Sequence, residues 1–126
     1  MQLQITGIEV DGECTGEVAE PPENGHSLTI SVSAATSSEW PAELQGMLID
    51  LGAYDFSIIG PDGLTENADH DTFAAFACLP DRELLPAKLG PGEQVVGKIV
   101  LDTANTSGVV VYRPSYAYGP AWEWAF

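Results

Sequence analysis

The chain has 126 residues, 44% of them hydrophobic and 9% aromatic, which fits one globular domain with a real core and excludes a disordered polymer. Nineteen acidic residues against four basic ones give a net charge of −15. This argues against a nucleic-acid partner or an anionic membrane surface, both of which need clustered Lys or Arg. No apolar run approaches the roughly 18 residues of a transmembrane helix, so no membrane insertion by this domain is expected.

The acidity itself suits either a cationic partner or a merely solvated surface. Thirteen glycines and nine prolines, spread along the chain, imply short elements joined by many turns. Gln2 to Val10 reads as a strand in which Gly7 shifts the apolar alternation, as a bulge would. Residues 11–26 read as a loop holding Cys14, Pro21-Pro22 and an Asn24-Gly25 turn. His26 to Ala35 is the cleanest strand. Leu28, Ile30, Val32 and Ala34 alternate with Thr29, Ser31 and Ser33, predicting one buried and one wet face. Thr36 to Gly52 is ambiguous: Trp40-Pro41 stops regular structure, Ala42 to Leu48 suits helical turns, and Met47 to Leu51 suits a short strand. Tyr54 to Ile59 reads as a strand ended by the turn Gly60-Pro61-Asp62-Gly63, with Leu64 to Phe76 returning beside it.

Ala77 to Asp102 reads as the crossover around which the chain is organised. It holds Cys78, three prolines, a single helical turn over Asp81 to Leu85, and a Gly90-Pro91-Gly92 turn that launches a strand over Glu93 to Leu101. Gly108 to Tyr112 and Ala121 to Phe126 are further strands, the last placing Trp122, Trp124 and Phe126 toward the core. Asn105-Thr106-Ser107 is formally a glycosylation sequon, relevant only to a eukaryotic secretory route. About seven strands without a long amphipathic helix predict a β-sandwich, and no internal period indicates a solenoid or propeller.

The segments L-T-I-S-V-S-A, Y-D-F-S-I-I-G-P-D-G, the 77–102 stretch, V-V-V-Y-R-P and the closing W-E-W-A-F resemble the telokin-like, immunoglobulin-like domain of bacterial, chiefly actinobacterial, secreted proteins and lipoproteins. The resemblance covers most of the chain from about residue 27 onward. It implies an all-β fold, an immunoglobulin-like antiparallel sandwich, as a single domain over 1–126. It further implies an exported, non-enzymatic binding or interaction module at the cell envelope, with an unknown protein or glycan partner. It carries no catalytic residues and no cofactor. The lipidated signal region of such proteins is not seen in this chain, which leaves either a cytosolic home or a signal outside these residues. In the exported setting Cys14 and Cys78 are expected to form a disulfide worth about 4 kcal/mol by the chain-entropy model. A cytosolic home predicts two free thiols. The bridge would not match the core disulfide of antibody domains, because neither cysteine lies mid-strand.

Other chemistry has weaker support. A zinc site from Cys14, His26, His70 and Cys78 matches no usual ligand spacing. Asp69 and Asp71, with Asp62 or Glu66, offer hard oxygen ligands for Ca²⁺, but the EF-hand spacing is missing. A calcium-binding structural or sensing domain is therefore the second reading, and a carboxylate-dependent enzyme acting on glycans the third. No nucleophile elbow, zincin motif or phosphate loop is present. For a partner, Tyr116 and Tyr118 in the Pro114 to Pro120 loop, beside Arg113, are the candidate anchors. The terminal strand at Ala121 to Phe126, if an edge, would permit weak self-association.

Overall fold

A computed structural model describes residues 2–40, 48–86, 88–113 and 121–126. Among them the strands run β1 (Gln2–Val10), β2 (His26–Ala35), β3 (Ile49–Asp50), β4 (Phe56–Ile59), β5 (Lys88–Leu89), β6 (Gln94–Thr103), β7 (Val109–Tyr112) and β8 (Trp122–Ala125). One short helix, α1 (Phe73–Ala77), and 3₁₀ turns at Ala53–Asp55 and Asp81–Glu83 interrupt them. The strands form two three-stranded antiparallel sheets, β1-β2-β6 and β4-β7-β8, with β3 and β5 paired separately. The fold is an all-β sandwich.

The core is the sum of the inward positions that the sequence alternation marks. Leu28, Ile30 and Val32 of β2 and Ile99 and Leu101 of β6 meet Phe56, Ile58, Val110 and Tyr112 from the other sheet. Cross-strand pairing adds directional contacts: Tyr112 lies opposite Phe56 on one side and Trp122 on the other, with ring centroids 5.0 and 5.8 Å away. Trp124 of β8 and Phe126 just beyond it pack against this core, whereas Trp122 stays 39% exposed at the sheet edge. The expected bulge is present, since the β1–β2 register shifts between Ile5 and Gly7.

Two further expectations fail. Leu64 to Phe76 does not return as a strand. A single bridge, Thr65 to Ile59, is all the pairing it makes before the chain turns into α1. Three of the five residues of F-A-A-F-A are alanine, the best helix former, and the Thr72 hydroxyl caps the helix by accepting the Ala75 N–H at 3.2 Å. The helix lies over the outer face of β6, and the predicted wet face of β2 is covered at its start, where Ser27 and Thr29 are buried and Asp11 bonds both backbone groups of Ser27. Beneath the helix, Ala75, Cys78, Leu79 and Val100 form a second small core, with Cys14 and Leu84 packed against it. Strict alternation on β2 reflects only the main core; the second layer is built from β6 and α1.

Cys14 and Cys78 are bridged, with Cα atoms 4.4 Å apart and a sequence separation of 64. The bridge closes the long β1–β2 connection down onto the end of α1, where the Gly16 N–H also donates to the Cys78 carbonyl at 2.9 Å. Gly16 is glycine because a Cβ there would fall on the Ala77 carbonyl oxygen. Cys78 is thus the C-cap of a helix, not a loop residue.

The same layer is pinned at its other end by Asp102, which is 1% exposed. Its carboxylate accepts the N–H groups of Glu23 and Asn24, each at 2.8 Å, and the Thr72 hydroxyl at 2.6 Å. Around it, the His70 ring Nδ1 lies 2.8 Å from the Asp102 carbonyl and the Asp102 N–H donates to the His70 carbonyl. Glu66 fastens the same loop to the end of β6, accepting from the Thr103 hydroxyl, the Asn105 side chain and the Ala104 N–H.

Partial burial pushes the Glu66 carboxyl up, but those hydrogen bonds and the nearby His70 outweigh it and hold it below its ordinary value of 4.5. A carboxyl depressed in the folded state stabilises above its unfolded value, and that contribution is lost as pH falls through the folded one. Urea midpoints from roughly pH 6 down to pH 3 should therefore fall less steeply in Glu66→Gln than in the parent. Parallel curves for the two proteins would remove Glu66 from the acid response.

Candidate functional site

The layer formed by α1 and the Cys14 loop shapes the outer surface. In α1, Ala74, Ala75 and Ala77 face inward, which turns Phe73 and Phe76, three residues apart, to solvent on one side. Both are more than half exposed. Across from Phe76 stands the 3₁₀ turn Ala53–Asp55, whose Tyr54 is equally uncovered. Between them runs a groove of about 250 Å³. Leu51, Leu85, Ile99 and Val100 form its apolar base, and Asp71 and Lys98 supply the charged side chains of its lining.

The groove exists because the crossover runs close to β6. Leu84 bridges Lys98 in parallel and the Leu85 N–H donates to the Lys98 carbonyl at 2.9 Å. Gly97 permits this approach, since a Cβ there would lie 2.8 Å from the Leu85 backbone. Lys98 reaches back to Glu83, with Nζ 3.6 Å from Oε1, so its ammonium sits at the rim as an exposed pair of small energetic weight.

Compared with protein-family models, curated proteins and solved structures, the chain matches none.

The residues singled out in the sequence fare differently. Tyr116 and Tyr118 lie outside the described residues. Arg113 is exposed at the end of β7, and its N–H donates to the Asp55 carbonyl at 3.1 Å, which ties it to the turn that carries Tyr54. The zinc arrangement fails because both cysteines are oxidised. His26 instead meets Asp11, Nδ1 to Oδ2 at 2.7 Å, and this hydrogen bond holds the Asp11 carboxyl below its ordinary value. Among the described residues no three His, Cys, Asp or Glu side chains converge as metal ligands. Of the calcium candidates, Asp62 accepts the Leu64 N–H and Asp69 the Asp71 N–H, each within its own turn, while Asp71 is exposed on the lining of the groove. Among the described residues no helix is long and apolar enough to cross a membrane.

Sequence reasoning missed Tyr54, Phe73 and Phe76 because it placed all three on strands. The available signal was the run Thr72-Phe-Ala-Ala-Phe-Ala77, a capping residue followed by an alanine-rich turn with aromatics at helical spacing.

Proposed function

We propose that this protein is a non-enzymatic binding module that works outside the cytoplasm, at a bacterial cell envelope, on an immunoglobulin-like sandwich of the telokin-like type. The observation that carries the binding reading is the pair Tyr54 and Phe76, 61% and 59% exposed, flanking a groove whose base is apolar. Exposed aromatics beside an apolar hollow are costly to leave in water and are the usual anchors of recognition. The groove's ionisable lining is Asp71, Tyr54 and a Lys98 already paired with Glu83, a poor starting set for acid–base chemistry and an adequate one for orienting a ligand. The disulfide is compatible with an oxidising compartment. β8 is an edge strand of four residues, and its exposed Glu123 works against the self-association that an open edge invites.

The test is an NMR titration of the whole chain with panels of soluble peptides and of oligosaccharides. A true ligand shifts the amides of Ala53, Tyr54, Ala75 and Phe76 first. The Tyr54→Ser/Phe76→Ser variant, its fold checked by unchanged amide shifts along the β2–β6 ladder, should weaken that ligand by about tenfold or more. Shifts confined to other surfaces, or unchanged affinity in the double variant, would refute this site.

A further inference from the structure

We infer that the Tyr54–Phe76 groove is half of a larger surface, and that the whole takes a basic polypeptide segment bearing apolar side chains. This rests on the binding reading above. A second groove, of about 500 Å³, lies on the far side of Phe76 between the 15–18 loop and the end of α1. Val18, Leu79 and Pro80 give it apolar walls, and Phe76 lines both hollows. Val18, 65% exposed, stands at its outer wall, held there by the neighbouring disulfide and by the Gly16 hydrogen bond to Cys78. Two hollows sharing one aromatic ridge suit an extended chain that crosses the ridge and sets alternate, apolar side chains into the two hollows, with the side chains between them turned to the rim.

Charge selects the kind of chain. Glu17, Asp71 and Asp81 are exposed around the two hollows. Glu83 already engages Lys98, which leaves Arg82 as the remaining base at the rim. The molecule as a whole carries −15. A cationic segment is steered by this field and held by the rim, whereas a neutral glycan gains nothing from it and a second copy of this chain is repelled. An acidic rim alone would be a solvated face; the paired apolar hollows give it a place for a ligand to sit.

The experiment uses the full oxidised chain and three short synthetic peptides: alternating Lys and Leu, alternating Lys and Ser, and alternating Glu and Leu. The Lys/Leu peptide should bind and shift amides both at Ala53–Tyr54 and in the 15–18 loop, with affinity falling as salt is raised. The Lys/Ser peptide should bind about tenfold more weakly, and Val18→Ser should weaken the Lys/Leu peptide several-fold without abolishing shifts at Tyr54. If Val18→Ser changes nothing and the 15–18 amides stay still, the two-hollow surface is wrong while the Tyr54–Phe76 site stands. If the Glu/Leu peptide binds as well as the Lys/Leu peptide, the basic partner is wrong and the site again stands. If the Lys/Ser peptide equals the Lys/Leu peptide, the hollows are unused and both readings fall.

Discussion

Asp102→Ala should lower the stability of this domain by about 3–5 kcal/mol, a large share of the roughly 5–15 kcal/mol that a domain of this kind possesses. The size follows from what the carboxylate holds. Oδ1 accepts the Asn24 N–H, and Oδ2 accepts both the Glu23 N–H and the Thr72 hydroxyl. Alanine would take the acceptor from one buried hydroxyl and two part-buried backbone donors, and an unsatisfied buried donor costs about 1–3 kcal/mol. Thr72 is also the N-cap of α1, so its hydroxyl donates to Asp102 while accepting the Ala75 N–H. Removing Asp102 loosens the cap as well as the loop.

Asp102→Asn is the sharper control, because it keeps the volume. Its amide nitrogen must replace one carboxylate oxygen and so point a donor at a donor. About 2 kcal/mol should be lost. Combined with Thr72→Val, the losses should be clearly less than additive, since both variants break the same contact. Urea midpoints for the single and double variants measure this. Additive losses, or an Asp102→Asn midpoint equal to that of the parent, would show that the carboxylate does not organise the layer.

That layer also marks the boundary of what the sequence makes legible. The sandwich is readable because each core strand spends its apolar residues on one face: Leu28, Ile30 and Val32 on β2, Phe56 and Ile58 on β4. Period-two alternation is a local signal and survives in a single sequence. The turn at Gly60–Gly63 and the bulge near Gly7 are legible for the same reason. The outer layer is not, because its determinants are distant in the chain. Nothing near Thr29 says that it will be covered, and nothing near Asp102 says that its partners come from residues 23, 24 and 72. Short helices are also hard to see, since five residues span little more than one helical period. Placing Phe73 and Phe76 on a strand hid the one surface where they stand together. The disulfide is legible only through the expected compartment, because Cys14 and Cys78, 64 residues apart, meet at the end of a helix that the local pattern barely announces.

Replacing both cysteines, Cys14→Ser/Cys78→Ser, should cost about 3–4 kcal/mol. Most of this acts on the unfolded chain, where the cross-link across 64 residues of separation removes conformational freedom. The unfolded state of the variant is more expanded, so the urea m-value should rise as the midpoint falls. A second part is local. The bridge and the Gly16 hydrogen bond to Cys78 are what hold the 15–18 loop on the end of α1. Hydrogen exchange separates the two contributions. Amides of the β2–β6 ladder should lose protection by the global amount and keep their order, while the Gly16 amide should lose more and approach the exposed limit. Gly16→Ala makes the complementary change, since its Cβ would be driven onto the Ala77 carbonyl with the bridge intact. It should free the loop with a smaller change in midpoint and no change in m-value. A double-serine variant with the midpoint and the Gly16 protection of the parent would mean that packing of Cys14 and Leu84 on the second core suffices. The surface around Val18 would then persist in a reducing compartment as well as an oxidising one.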